Sequence, residues 1–314
     1  MMDNLGIKMI TMPLPFRLNH VNCFIGEGEE GWVIMDTGLH NETTQKMWEQ
    51  HIETEQVTDI WLTHYHPDHY GYAGSLQEKT EARVSMTKRD AELGNKAWKK
   101  RFMNHVRTHY GKHGIPSAMA NQMIENTREF VERVTPHPRV DHYFTEGEVV
   151  QFGKYTYEII FTPGHSDGLI CLYNKEKKVL FSTDHILPKI TPNISYWFHG
   201  DSNPLQTYLQ SLEKVKRLDA QYVIPSHGKP FYGANERIEE IVDHHEERLH
   251  ETLEIIQKQD VTVYEACQHL FPKSLTIHEQ RFAIGETLAH LDYLRYAGEC
   301  QREWRNGLWF YVIV

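Results

Sequence analysis

Residues 58–74, TDIWLTHYHPDHYGYAG, carry four side chains able to bind a metal ion within six residues: His64, His66, Asp68 and His69. His64 and His66 are two apart, so on extended backbone they leave the chain on one side and can reach one ion. Pro67 breaks regular structure. A turn there aims Asp68 and His69 from another direction, towards a second ion. Gly71, Ala73 and Gly74 let a helix begin close by. Imidazole and carboxylate donors without a neighbouring cysteine suit zinc, with manganese or iron as alternatives.

A histidine-rich surface loop would ask nothing more of the chain. Here the partners of such a site follow downstream: His165 in FTPGHSDG, Asp184 in LFSTDHIL and His227 in YVIPSHGKP. Each comes after an apolar, strand-like run, at 157–161, 179–181 and 222–224. Ligands at strand ends are what a rigid metal site requires.

The pattern His64-x-His66-x-Asp68-His69, then His165, Asp184 and His227, resembles that of the metallo-beta-lactamase superfamily. The resemblance runs over about residues 5–235. It implies an α+β fold, an αββα sandwich with two divalent metal ions on one edge. By the family pattern His64, His66 and His165 hold one ion, Asp68, His69 and His227 the other, and Asp184 bridges them. Asp36 in VIMDTG matches the acidic residue of the family's first motif and is expected to cap a helix or orient a ligand histidine.

The chain has 314 residues, enough for two domains. The expected division is 1–235, a catalytic domain with a helical cap insert at about 88–140, and 236–314, a winged-helix-like domain. Hydrophobic content of 40% and charged content of 24% are those of an ordinary globular chain. No apolar run is long enough to span a membrane, and the N-terminus does not read as a signal peptide. Cys23, Cys171, Cys267 and Cys300 lack CxxC spacing and read as packing thiols of a cytoplasmic protein. The net charge of −10 argues against nucleic acid. The charge is uneven: residues 88–140 carry 11 Lys/Arg against 5 Asp/Glu, and residues 235–314 carry 8 against 15.

Several elements must position these groups. Strands are expected at 5–12, 20–26 and 32–35, with helices at about 41–52 and 71–80. Antiparallel strands fill 142–180. The insert reads as two or three helices, with Trp98, Phe102 and Val106 at helical spacing. Its Lys96, Lys99, Lys100, Arg101 and Arg107 could attract an anionic substrate group. His105, His109 and His113 would share a helix face, for polar packing, substrate contact or a third metal. Residues 186–199 hold two prolines and several aromatics and read as an irregular pocket wall. Asn193, Tyr196, Trp197 and His199 there are candidate substrate contacts. In the tail, Asn306-Gly307 marks a hairpin turn between 300–305 and 308–313. Helices followed by such a wing resemble the lactamase-beta-2-like branch. The tail's negative charge argues against DNA, and its aromatics suit a homodimer contact.

The chemistry expected is hydrolysis. Two divalent cations can share a hydroxide near neutral pH and polarise a substrate oxygen. That hydroxide would attack an ester, thioester or lactone carbonyl of a small-molecule substrate. Asp68 would handle a proton, and His185 is a second candidate donor to the leaving group. The alternative is a metal-dependent ribonuclease or phosphodiesterase, which the basic insert would serve. A true beta-lactamase fits less well, because those enzymes usually lack the bridging Asp184. Flavodiiron proteins carry a glutamate where His66 stands.

Overall fold

The structure is a computed structural model that describes residues 2–314. Two compact units make up the chain. Of the described residues, the first contains 2–95, 130–192 and 211–238; the second contains 96–129, 193–210 and 239–314.

The first unit is built on two six-stranded sheets. One contains β1 (Ile7–Pro13), β2 (His20–Glu27), β3 (Trp32–Met35), β4 (Val57–Trp61), β5 (Arg83–Met86) and β6 (His142–Tyr143), in that spatial order. Pairing is antiparallel from β1 to β3 and parallel from β3 to β6. The other contains β7 (Val149–Phe152), β8 (Tyr155–Phe161), β9 (Ile170–Asn174), β10 (Val179–Thr183), β11 (Tyr222–Pro225) and β12 (Phe231–Tyr232), again in sequence order. Only β10 and β11 pair in parallel there.

Side-chain patterning explains the layers. The edge strand β1 buries Ile10 and Met12 on one face and leaves Thr11 and Pro13 exposed on the other. All five residues of β10 are buried, as a central strand covered on both faces requires. Between the sheets Phe24 and Phe181 meet edge to face at 5.2 Å, and Trp61 lies 5.4 Å from Phe152. Burying a side chain such as Phe181 contributes about 3 kcal/mol. Helix Glu42–His51 contacts β1, and helix Ala73–Thr80 contacts β4. Trp48 anchors the former, donating from Nε1 to the Thr37 carbonyl at 2.8 Å. The unit is thus a mixed sandwich of the kind expected.

Backbone hydrogen bonds between the sheets fix one edge. Ile170 N donates to Thr63 O at 3.1 Å, and Asn22 N donates to Ser226 O at 2.7 Å. They tie the loop after β4 to β9 and the loop after β11 to β2.

The second unit is mainly helical. It contains helices Lys100–Lys112, Ser117–Glu129, Val263–Leu270 and Ile277–Ala297. Thr262 and Thr276 each close a capping box, with Glu265 and Glu279. Helix Ile277–Ala297 buries Thr287, His290 and Asp292 along with its apolar residues. Strands β13 (Cys300–Arg305) and β14 (Leu308–Ile313) form a hairpin with Trp304 opposite Trp309. Asn306 and Gly307 both have positive φ, 50° and 84°, which a two-residue turn of this hand needs. Tyr311 fixes the hairpin, its hydroxyl donating to Asp292 at 2.9 Å. Among the described residues no helix is long and apolar enough to cross a membrane.

Gly74 marks a close approach. A Cβ there would lie 1.9 Å from the Pro136 carbonyl oxygen, which is backbone and cannot rotate away. Gly74→Ala should lower unfolding free energy by about 2 kcal/mol or more, read from the denaturant midpoint. A change below about 0.5 kcal/mol would show that this approach is not tight.

Candidate metal centre

The loop after β4 changes conformation at Pro67. His66 is extended (φ −64°, ψ 149°) and precedes a single helical turn, Pro67–Tyr70. His64 and His66 therefore come from extended chain, while Asp68 and His69 come from the turn. The loops after β8, β10 and β11 bring His165, Asp184 and His227 to the same place.

The seven side chains converge. His66 Nδ1 lies 3.1 Å from His64 Nε2 and 2.9 Å from His165 Nε2. Asp184 sits among three imidazoles: Oδ2 is 3.4 Å from His165 Nε2 and 3.3 Å from His227 Nε2, and Oδ1 is 3.5 Å from His69 Nε2. Asp68 Oδ2 is 3.5 Å from His227 Nε2 and 3.8 Å from His69 Nε2. Three groups could hold an ion: His64, His66 and His165; His64, His69 and Asp184; Asp68, His69 and His227. Among the described residues, His105, His109 and His113 form no such group.

The far nitrogens of three rings are tied to protein oxygens. His69 Nδ1 donates to Asp36 Oδ2 at 2.7 Å. Thr63 Oγ1 donates to Asp36 Oδ2 at 2.8 Å and accepts from His64 Nδ1 at 3.1 Å. His227 Nδ1 donates to the His20 carbonyl at 2.6 Å. With Nδ1 protonated in each, Nε2 is left as a lone-pair donor facing the cluster. His69 Nε2, His227 Nε2 and Asp184 Oδ1 are buried without a hydrogen-bond partner. Buried acceptors aimed at one another fit a cation between them.

Electrostatics agree. Burial would raise the Asp184 carboxyl, but His227 and His69 outweigh it and hold it well below the usual carboxylate range. Burial would lower His69, yet Asp184, Asp36 and Asp68 lift it well above the ordinary value. His227 is raised by Asp184 and Asp68 against the same burial. Burial, then His69 and His66, lower His64. His185 is fully buried, and burial pushes it down to about 3, so it is neutral at neutral pH.

Asp36 is fully buried and holds φ at +60°, a left-handed conformation that costs a non-glycine residue energy. It accepts Thr63 N–H at 2.9 Å in addition to the bonds above. Three supporting residues carry no sequence signal as such. Thr63 relays Asp36 to His64. His20 Nε2 accepts Gly228 N–H at 2.8 Å. Asn22 Nδ2 donates to the carbonyls of Pro225 and Gly228 at 3.1 and 2.9 Å. Thr63 acts through side chains, and His20 and Asn22 through backbone groups of residues 225–228, more than 200 residues away, which motif spacing cannot reveal.

The four candidate substrate contacts belong to the second unit and are half-buried. Asn193 Nδ2 donates to Glu286 Oε2 at 3.1 Å. The Tyr196 ring meets Phe198, Trp197 meets Phe282, and His199 meets Phe102.

Residues 17–227 match the family model of the metallo-beta-lactamase superfamily, and residues 249–313 match that of the metallo-beta-lactamase-like C-terminal domain. The chain belongs to the metallo-beta-lactamase superfamily. It is 25% identical over 304 residues to a probable metallo-hydrolase, YqjP, of Bacillus subtilis, covering 91% of each chain. It is 24% identical to a beta-lactamase-like protein 2 homolog of Caenorhabditis elegans, over 83% of this chain and 74% of that one. An atrochrysone carboxyl ACP thioesterase of Aspergillus fumigatus is 27% identical over 124 residues, 38% of this chain and 37% of that one. A crystal structure of a metallo-beta-lactamase family protein from Thermus thermophilus superposes with TM-score 0.86 at 31% identity, covering 98% of this chain and 99% of that one. The chain is thus a metallo-hydrolase of this superfamily with His/Asp clusters able to hold divalent metal.

Raised histidines make the metal-free hydrolase sensitive to alkali. His69 and His227 bind protons more tightly folded than unfolded. Their contribution is full below about pH 6.5 and is lost as pH rises through their folded values. Asp184 acts oppositely: its contribution is present above about pH 4 and is lost as pH falls through its depressed value. Chelator-treated protein should therefore lose stability as pH rises above about 6.5, and a divalent cation should restore it. Denaturation curves that do not move with pH over this range would contradict the assignment.

Proposed function

We propose that this hydrolase cleaves carboxyl esters, thioesters or lactones of small, anionic substrates, using two divalent cations, zinc foremost, with manganese or iron as alternatives. The observation that carries the reading is Asp184, one carboxylate within 3.3–3.5 Å of His69, His165 and His227. His64, His66 and His165 would hold one cation, Asp68, His69 and His227 the other, and Asp184 would be shared. Bound there, the cations would supply a hydroxide at neutral pH and an electrophilic partner for the carbonyl oxygen.

The chain's own groups do the rest. Asp36 and Thr63 hold the tautomers of His69 and His64. Asp68 is the more exposed site carboxylate, its side chain 19% accessible against 7% for Asp184. It can take a proton from incoming water and return it to the leaving group. The role in proton transfer rests on Asp68, because His185 is buried and neutral.

The inclusion of thioesters among these substrates is supported by the partial likeness to the fungal thioesterase. Anion selection is supported by the second unit: Lys96, Lys99, Lys100, Arg101 and Arg107 are exposed, and residues 96–124 contain no Asp or Glu. The same charge supports the second reading, a ribonuclease or phosphodiesterase. The helices and the β13–β14 hairpin support a winged-helix-like tail, and the exposed Trp304 supports a homodimer contact.

Zinc- or manganese-loaded protein should turn over esters, thioesters or lactones. Asp184→Ala should lower kcat/KM by about 100-fold or more, since even groups behind the ligands are worth 10–100-fold. Cleavage of RNA or a phosphodiester reporter without ester turnover would make the second reading primary. An unchanged KM for an anionic thioester after neutralising Lys96, Lys99, Lys100 and Arg101 would reject anion selection.

A further inference from the structure

We infer that Asp90, which no motif marks, is the positioning residue that fixes His165 against His64 and His66. The inference rests on the metal-centre reading above. Asp90 lies in the first turn of helix Lys88–Ala97 and is 0% exposed. Its Oδ2 accepts the N–H of Tyr65 at 3.1 Å and the hydroxyl of Ser166. Its Oδ1 accepts Gly168 N–H at 2.6 Å. Tyr65 stands between His64 and His66, and Ser166 follows His165. One carboxylate therefore clamps two ligand loops that are about 100 residues apart.

The clamp is closely fitted. Thr87 Oγ1 donates to the Gly168 carbonyl at 2.7 Å, closing the same ring of contacts. A Cβ on Gly168 would lie 2.2 Å from Thr87 Oγ1 and 2.7 Å from Asp90 Oδ1. Only glycine lets the loop come this near. Burial pushes the Asp90 carboxyl up to about 7, with the bonds from Ser166, Tyr65 and Gly168 pulling the other way. A buried carboxylate is costly unless its acceptors are filled, and here three donors from two loops fill them. Asparagine has one acceptor oxygen, so either way round it turns an amide N–H₂ on a donor: on Gly168 N–H, or on Tyr65 N–H and the Ser166 hydroxyl.

The other ligand group has different supports. His69 hangs from Asp36, and His227 from the His20 carbonyl. Asp90 bonds to neither. A general structural staple would weaken both groups alike when removed, whereas a positioning residue for one group would weaken that group alone.

The test places Asp90→Asn in two parents. Asp68→Ala leaves the His64, His66 and His165 group, and His66→Ala leaves the Asp68, His69 and His227 group. Zinc affinity is read by chelator competition, with thermal unfolding as a check on folding. We expect Asp90→Asn to weaken zinc by about 10–100-fold in the first parent and by less than about threefold in the second. Ser166→Ala, which removes one arm only, should weaken zinc in the same parent by a smaller factor, and it serves if Asp90→Asn does not fold. Equal loss in both parents, or loss in neither, would overturn the inference while leaving the metal centre standing. A wild-type chain that binds no zinc would overturn the metal-centre reading itself, and the inference with it.

Discussion

The convergence of imidazole lone pairs on a buried carboxylate governs this structure. His66 brings its Nδ1 within 2.9–3.1 Å of nitrogens on His64 and His165, and Asp184 lies within 3.5 Å of His69, His165 and His227. Such an arrangement is unfavourable when empty. Protons relieve part of it, which is why His69 and His227 are raised while Asp184 is depressed. Cations relieve it more fully, because each meets several acceptors at once. The cost of assembling these groups is borne by the sandwich, whose inter-sheet packing and cross-sheet hydrogen bonds hold the loops in place.

The supports are arranged so that His64, His69 and His227 each have a set tautomer. Asp36 reaches His69 directly and His64 through Thr63. The His20 carbonyl sets His227, and Asn22 holds the loop around it from β2. Asp36 accepts three hydrogen bonds while keeping a left-handed backbone. The strain and the function coincide there: the φ of +60° lets the side chain turn back from the end of β3 into the site. Rigid strands then pass this order to the ligands, so the site depends on the whole sandwich and not on one loop.

What could be read beforehand follows from how local the signal is. The HxHxDH spacing is local, and so are the strand-like runs before His165, Asp184 and His227. The Asn306-Gly307 turn is local too, and β13 and β14 fall at 300–305 and 308–313, as the spacing suggests. Helix Ile277–Ala297 is legible as a helix, but its depth is not. Residues 287–292 are all buried, including Thr287, His290 and Asp292, so no clean apolar face exists to read. Thr63, His20 and Asn22 are invisible for another reason. Their partners are backbone atoms or side chains brought near only by folding.

The seven convergent side chains form, as proposed, a two-cation centre organised by Asp184. It is tested most directly by metal content. The protein would be reconstituted with zinc, freed of excess metal and measured by elemental analysis beside Asp184→Ala. About two zinc ions per chain are expected, with fewer retained by the variant. A wild-type chain that retains no zinc, or a variant that retains as much as the wild type, would contradict it.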